Sequence, residues 1–103
     1  MIRHFVLLRF KDDVSSETKL SIYEELEALK HHVGGILAFH AGPNVSVETD
    51  LIRGFKDVFW FDFEDEAARD AYIVEPRHQA VGARIVAHTE NGSDGVVVVD
   101  VKV

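Results

Sequence analysis

The chain has 103 residues, 47% apolar and 28% charged, which is ordinary globular composition with room for one domain and one modest core. Eleven basic against 18 acidic side chains leave a net charge of −7, which repels polyphosphates and anionic lipid surfaces and sets nucleic-acid and membrane partners aside. Cysteine is absent, excluding disulfides, thiolate nucleophiles and thiolate metal sites together, and no apolar run approaches the length of a membrane span.

Ile2 to Phe10 is a compact apolar run closed by Lys11-Asp12-Asp13, the pattern of a strand. Period two groups Ile2, His4, Val6, Leu8 and Phe10, so His4 is expected on the more apolar face, under the helices. Ser15 or Ser16 can cap a helix, and Ile22, Leu26, Leu29 and Val33 follow at spacings of 4, 3 and 4, a stripe that stops at Gly34-Gly35. A second strand is expected over 36–46, with Leu37, Phe39 and Ala41 in loose alternation. In the third, Phe55 to Phe63, the residues Phe55, Phe59, Phe61 and Phe63 share one face while Val58 and Trp60 point to the other. Glu64 to Glu75 reads as a helix opened by acidic residues, and Pro76 then starts a second helical piece to about His88. The chain closes with Val96 to Val99, unbroken by polar residues before Asp100, as in a strand covered on both sides.

The order β-α-β-β-α-β, with its second helix broken, is that of an α+β, ferredoxin-like sandwich: a four-stranded antiparallel sheet with helices on one face, here a single domain over residues 1–103. Trp60, Val58 and the valine run cannot all face the helices. A second copy of the same sheet is the economical cover, giving a two-fold homodimer through the sheet faces. The N-terminus lacks a signal-peptide cleavage pattern, and a cytoplasmic location is expected.

The opening IRHFVLLRFK, the turn AGPNVSVE, the strand GFKDVFWFDFE, the segment YIVEPRH and the closing VVVVDV resemble, in order and spacing, the stress-responsive A/B-barrel (Dabb) family. The resemblance covers nearly the whole chain and implies a dimeric α+β barrel, two such sheets packed face to face. Most members of that family have no assigned activity and some are linked to stress responses. A plant branch cyclises polyketides by an intramolecular aldol condensation without a metal. Its working Tyr and His lie in a Y-I-x-H-P-x-H segment, with a supporting His near the start of the first strand; these match Tyr72, His78 and His4. The first His of that segment is Glu75 here, and the branch's tyrosine on the first helix is replaced by Leu26, with Tyr23 nearly a turn away. Tyr23 and Leu26 are therefore expected to contact a ligand.

The residues support that chemistry independently. On a helix over 76–88, His78, Val81, Ile85 and His88 recur at 3, 4 and 3, placing His78 in the apolar stripe and partly buried. An imidazole in an apolar pocket keeps its neutral form and accepts a proton at neutral pH, and a neighbouring tyrosine hydroxyl holds a developing oxyanion. The alternative is that Tyr72 and His78 are amphipathic core residues with satisfied hydrogen bonds. A pocket between the first helix and the sheet, sized for several rings and open to both His4 and His78, would separate the two. His31 and His32 point about 100° apart and do not chelate one ion. Glu75 and His78 have E-x-x-H spacing but lack the four long helices of a di-iron bundle. No cofactor is expected.

Two classes of function follow: a homodimer that binds a small apolar, carbonyl-containing ligand, or a cofactor-free lyase of the polyketide-cyclase type with His78 as base and Tyr72 as oxyanion donor. A monooxygenase of the dimeric-barrel type is a weaker third.

Overall fold

The computed structural model describes residues 1–103. Its elements run β1 (Ile2–Leu8), α1 (Ser16–Ala28), β2 (Ile36–Pro43), β3 (Asp57–Phe63), α2 (Glu66–Val74), α3 (Pro76–His88) and β4 (Val96–Lys102), with short 3-10 turns after α1 and before β4. The strands form one antiparallel sheet in the order β2-β3-β1-β4, the ferredoxin-like arrangement expected, and the helices cover one face.

Local chemistry sets the element ends. The Ser15 side chain accepts from the Thr18 amide and starts α1; Asp65 does the same for Ala68 and starts α2. Because Asp65 occupies the cap, α2 begins at Glu66, not at Glu64. Glu75 is extended, as the residue before a proline must be, and its carboxylate caps α3, whose first residue is Pro76. The α1 stripe is fully buried, with Ile22, Leu26, Leu29 and Val33 all in the core, although Leu29 and Val33 lie just past the α-helix. Phe59, Phe61 and Phe63 fill the space between sheet and helices.

Four expectations are corrected. The second strand ends at Pro43, because Asn44 turns the chain: its side chain donates to the Phe55 carbonyl and accepts from the Ser46 amide. Leu37 does not alternate with Phe39. A bulge between Ile36 and Ala38 shifts the register and leaves Leu37 exposed. The first strand breaks after Leu8, and Phe10 returns as an isolated bridge to Thr89; the third strand likewise starts at Asp57, leaving Phe55 beneath the Arg9 guanidinium.

The register separates two faces. His4, Val6, Phe59, Phe61, Val96, Val98 and Asp100 point to the helices, while Phe5, Leu7, Val58, Trp60, Val97, Val99 and Val101 point away. On the outer face, Trp60 stacks on His40 at 4.8 Å and lies 5.9 Å from Phe5, with Arg3 and Asp62 paired at 2.7 Å beside them. The helices do not reach across the whole inner face. Val98, expected to be covered on both sides, is 56% exposed beyond their edge.

One tight approach gives a stability test. Gly35 has φ +82°, and a Cβ there would sit 2.6 Å from Cβ of Ala68 on α2. Gly35→Ala is expected to destabilise the fold by about 2–4 kcal/mol, from left-handed strain plus the clash. Thermal melting checks this; an unchanged melting temperature would mean the chain turns differently at Gly35.

Candidate functional site

The gap beside β4 is the mouth of a cavity of about 270 Å³ between the sheet and α2–α3. Its walls are His4 and Val6 of β1, Leu26 of α1, Phe59 of β3, Tyr72 and Ile73 of α2, His78, Gly82, Ile85 and Val86 of α3, and Val96 and Val98 of β4. Nine of the 12 lining residues are hydrophobic, Tyr72 among them, so the imidazoles of His4 and His78 and the one hydroxyl, on Tyr72, stand out in an apolar enclosure. The segment broken by Pro76 brings two of them together. Tyr72 falls in the last turn of α2 and His78 in the first of α3, and their ring centroids are 4.0 Å apart. Tyr72 is also 5.6 Å from His4, placing its ring between the two imidazoles.

The hydrogen bonds assign the nitrogens. His78 Nδ1 lies 3.2 Å from the Ile73 carbonyl, which can only accept, so Nδ1 carries the proton and Nε2 of the neutral ring is left as acceptor. Burial pushes the His78 pKa below its usual 6.5, against the carbonyl bond, and the nearby His4 lowers it further. His4 Nδ1 is 2.5 Å from Asp100 Oδ1, and Arg69 donates to the other oxygen of that carboxylate at 2.7 Å. Burial works against the Asp100 charge, but the Arg69 and His4 bonds outweigh it and hold Asp100 below the usual carboxylate range. The pair fixes the His4 ring and leaves its Nε2 as the free nitrogen. Tyr72 is 1% exposed, and burial, followed by the Asp100 charge, raises its hydroxyl pKa. It remains a neutral donor.

Four of the five expected site residues, His4, Leu26, Tyr72 and His78, border this one cavity. Tyr23 does not. Its ring packs 6.4 Å from Phe59, itself a wall residue, and its hydroxyl is buried without a partner, so it backs the wall from outside. The cavity lies under α2 and α3, with only Leu26 from α1, where a pocket against the first helix was expected, and its volume is near the lower end of the small-molecule range. Glu75 takes no part in the wall; it caps α3 and pairs with Arg77 at 3.0 Å. Asp100, 96 positions from His4, was missed as its partner, since the β1–β4 register is not encoded in the spacing of either residue.

Three comparisons bear on this arrangement. A stress-response A/B barrel domain-containing protein of Arabidopsis thaliana is 34% identical over 77 residues, 75% of this chain and 70% of that protein. The crystal structure of a dimeric ferredoxin-like protein of unknown function from Jannaschia sp. CCS1 superposes with a TM-score of 0.89 at 33% identity, covering 99% of this chain and 98% of that one. A further Arabidopsis thaliana crystal structure gives a TM-score of 0.86 at 29% identity over 100% of this chain and 95% of that one. The family model described as the stress responsive A/B barrel domain matches residues 2–103, nearly the whole chain, and the chain belongs to the stress-responsive A/B barrel domain family.

Proposed function

We propose that the protein is a homodimer closed through its outer sheet faces, and that each subunit's cavity takes a small, mostly apolar ligand carrying a carbonyl group. In this reading His78 Nε2 removes a proton from the carbon beside the carbonyl, and the electron pair left behind moves onto the carbonyl oxygen. The Tyr72 hydroxyl donates a hydrogen bond to that oxygen, and His4, held by Asp100, orients the ligand. The observation that carries the proposal is the juxtaposition of Tyr72 and His78, whose Nε2 makes no hydrogen bond, in the wall of one apolar cavity with their rings 4.0 Å apart. Support for the dimer comes from the apolar outer face and from the dimeric description of the Jannaschia relative.

Proton abstraction can be read without knowing the natural substrate. Acetophenone in D₂O with the protein should exchange its methyl protons for deuterium faster than in buffer, followed by NMR. Binding without exchange would leave a ligand-binding protein without this chemistry. No binding of any small ketone would remove the proposal altogether.

The lowered His78 pKa gives the pH dependence a sign. Exchange should be flat through neutral pH and fall in acid with a midpoint below 6.5, the ordinary histidine value. The unfolded chain protonates His78 first as pH drops, so this residue costs stability below 6.5 and contributes no loss above it. A midpoint above 6.5 in wild-type protein that is absent from a His78 variant would contradict burial as the controlling effect.

A further inference from the structure

Gly82 lies in the middle of α3, four residues after His78 and on the same side of the helix. A glycine there weakens a helix relative to alanine, because the unfolded chain gains freedom that folding must remove. Two structural needs commonly retain such a glycine, a left-handed backbone or a lack of space, and neither applies. Gly82 is absent from the positive-φ glycines Gly35, Gly54 and Gly92. A Cβ built on it meets no atom within 4 Å, whereas one on Gly95 would come within 2.8 Å of the Glu90 carbonyl oxygen. The space next to Gly82 is the cavity, whose wall it forms with His78, Ile85 and Val86.

We propose that Gly82 is a specificity-determining residue: the side chain it lacks is room for the ligand, whose apolar part lies along the bare α3 backbone, one turn from the His78 imidazole. The other walls offer no such length. Leu26, Phe59 and Ile85 are 1%, 2% and 5% exposed and packed into the core, so a longer ligand extends past Gly82 toward the mouth at Val86 and Val98. The ligand class is thereby narrowed to a ring or short chain attached to the carbonyl and narrow enough to lie against a helix. This inference rests on the cavity being a ligand site.

The test uses phenyl ketones with one to six alkyl carbons, binding measured by NMR titration of the full-length protein, on wild type, Gly82→Ala and Gly82→Val. Wild type should bind the series. Gly82→Val should weaken the longest ketone at least tenfold and the shortest by no more than about twofold, since a single misfitted methylene in an apolar pocket is worth about 10- to 200-fold. Gly82→Ala should raise the melting temperature by about 2–6 °C through helix propensity while weakening the longest ketone about threefold. If wild type binds the series and both variants bind it unchanged, the role of Gly82 is overturned and the ligand site stands. If wild type binds none of the ketones, both fall together. Should Gly82→Val fail to fold, Gly82→Ala decides: a stabilised variant with undiminished binding of the longest ketone overturns the proposal.

Discussion

Trp60→Glu is expected to convert the dimer to a species of half its mass at micromolar concentration. Trp60 sits on β3, one of the two central strands, between His40 and Phe5 on the face that the helices leave open. Around it Leu7, Val58, Val97, Val99 and Val101 make an apolar surface, with Val99 43% and Val101 40% exposed in the single chain. Two-fold symmetry would bring two substituted positions into one interface, so two carboxylates would lose water with no partner for either. Each costs several kcal/mol unless it is neutralised, enough to weaken association by on the order of a thousandfold. Leu20→Glu is the control, because Leu20 is 58% exposed on α1, on the helix side. Light scattering should show Leu20→Glu unchanged and Trp60→Glu monomeric. A Trp60→Glu variant that remains a stable dimer would mean that the subunits meet elsewhere.

His78→Ala should reduce ketone proton exchange at least a hundredfold and leave the fold nearly intact. The imidazole is half-buried and makes one hydrogen bond, to the carbonyl of Ile73, itself 43% exposed. Water can replace that donor, and the vacated space joins an existing cavity. The stability loss should therefore be about 1 kcal/mol, not the 2–5 of a sealed core truncation. Tyr72→Phe should be milder in rate, losing one donor to the developing oxyanion at a cost of about 3 kcal/mol or less. It should also be nearly silent in stability, since the ring packing on Phe61, Phe63 and His78 is kept. The core-residue alternative predicts the reverse: a melting temperature many degrees lower for His78→Ala with ketone binding unchanged. Melting and titration on the same two variants separate these outcomes.

The parts of this protein legible in its sequence are those governed by neighbours a few residues away. The 4-3-4 spacing of Ile22, Leu26, Leu29 and Val33 marked a helix face that is indeed buried. Pro76 marked the break between α2 and α3 because a proline cannot continue a hydrogen-bonded helix. Period two on β1 placed His4 toward the helices, and it is 4% exposed there. The segment around the break thus carried Tyr72 and His78 into proximity by local geometry alone.

Tertiary structure decided what depends on separations that no local pattern records. Antiparallel pairing of β1 with β4 set Asp100 against His4, across 96 positions, and turned a lone imidazole into an anchored one. The bulge at Ile36–Ala38 moved Leu37 out of its expected alternation, because one extra residue shifts the register of everything before it. The short reach of α2 and α3 across the sheet left a cavity of about 270 Å³ where a filled core was the alternative. Tyr23, three positions before Leu26 and on nearly the same side of α1, packs against Phe59 almost a turn away along the helix axis, and the cavity extends only as far as Leu26. Periodicity determines which way a side chain points from its own element; how far apart two elements stand, and in what register, is settled only when all of them pack at once.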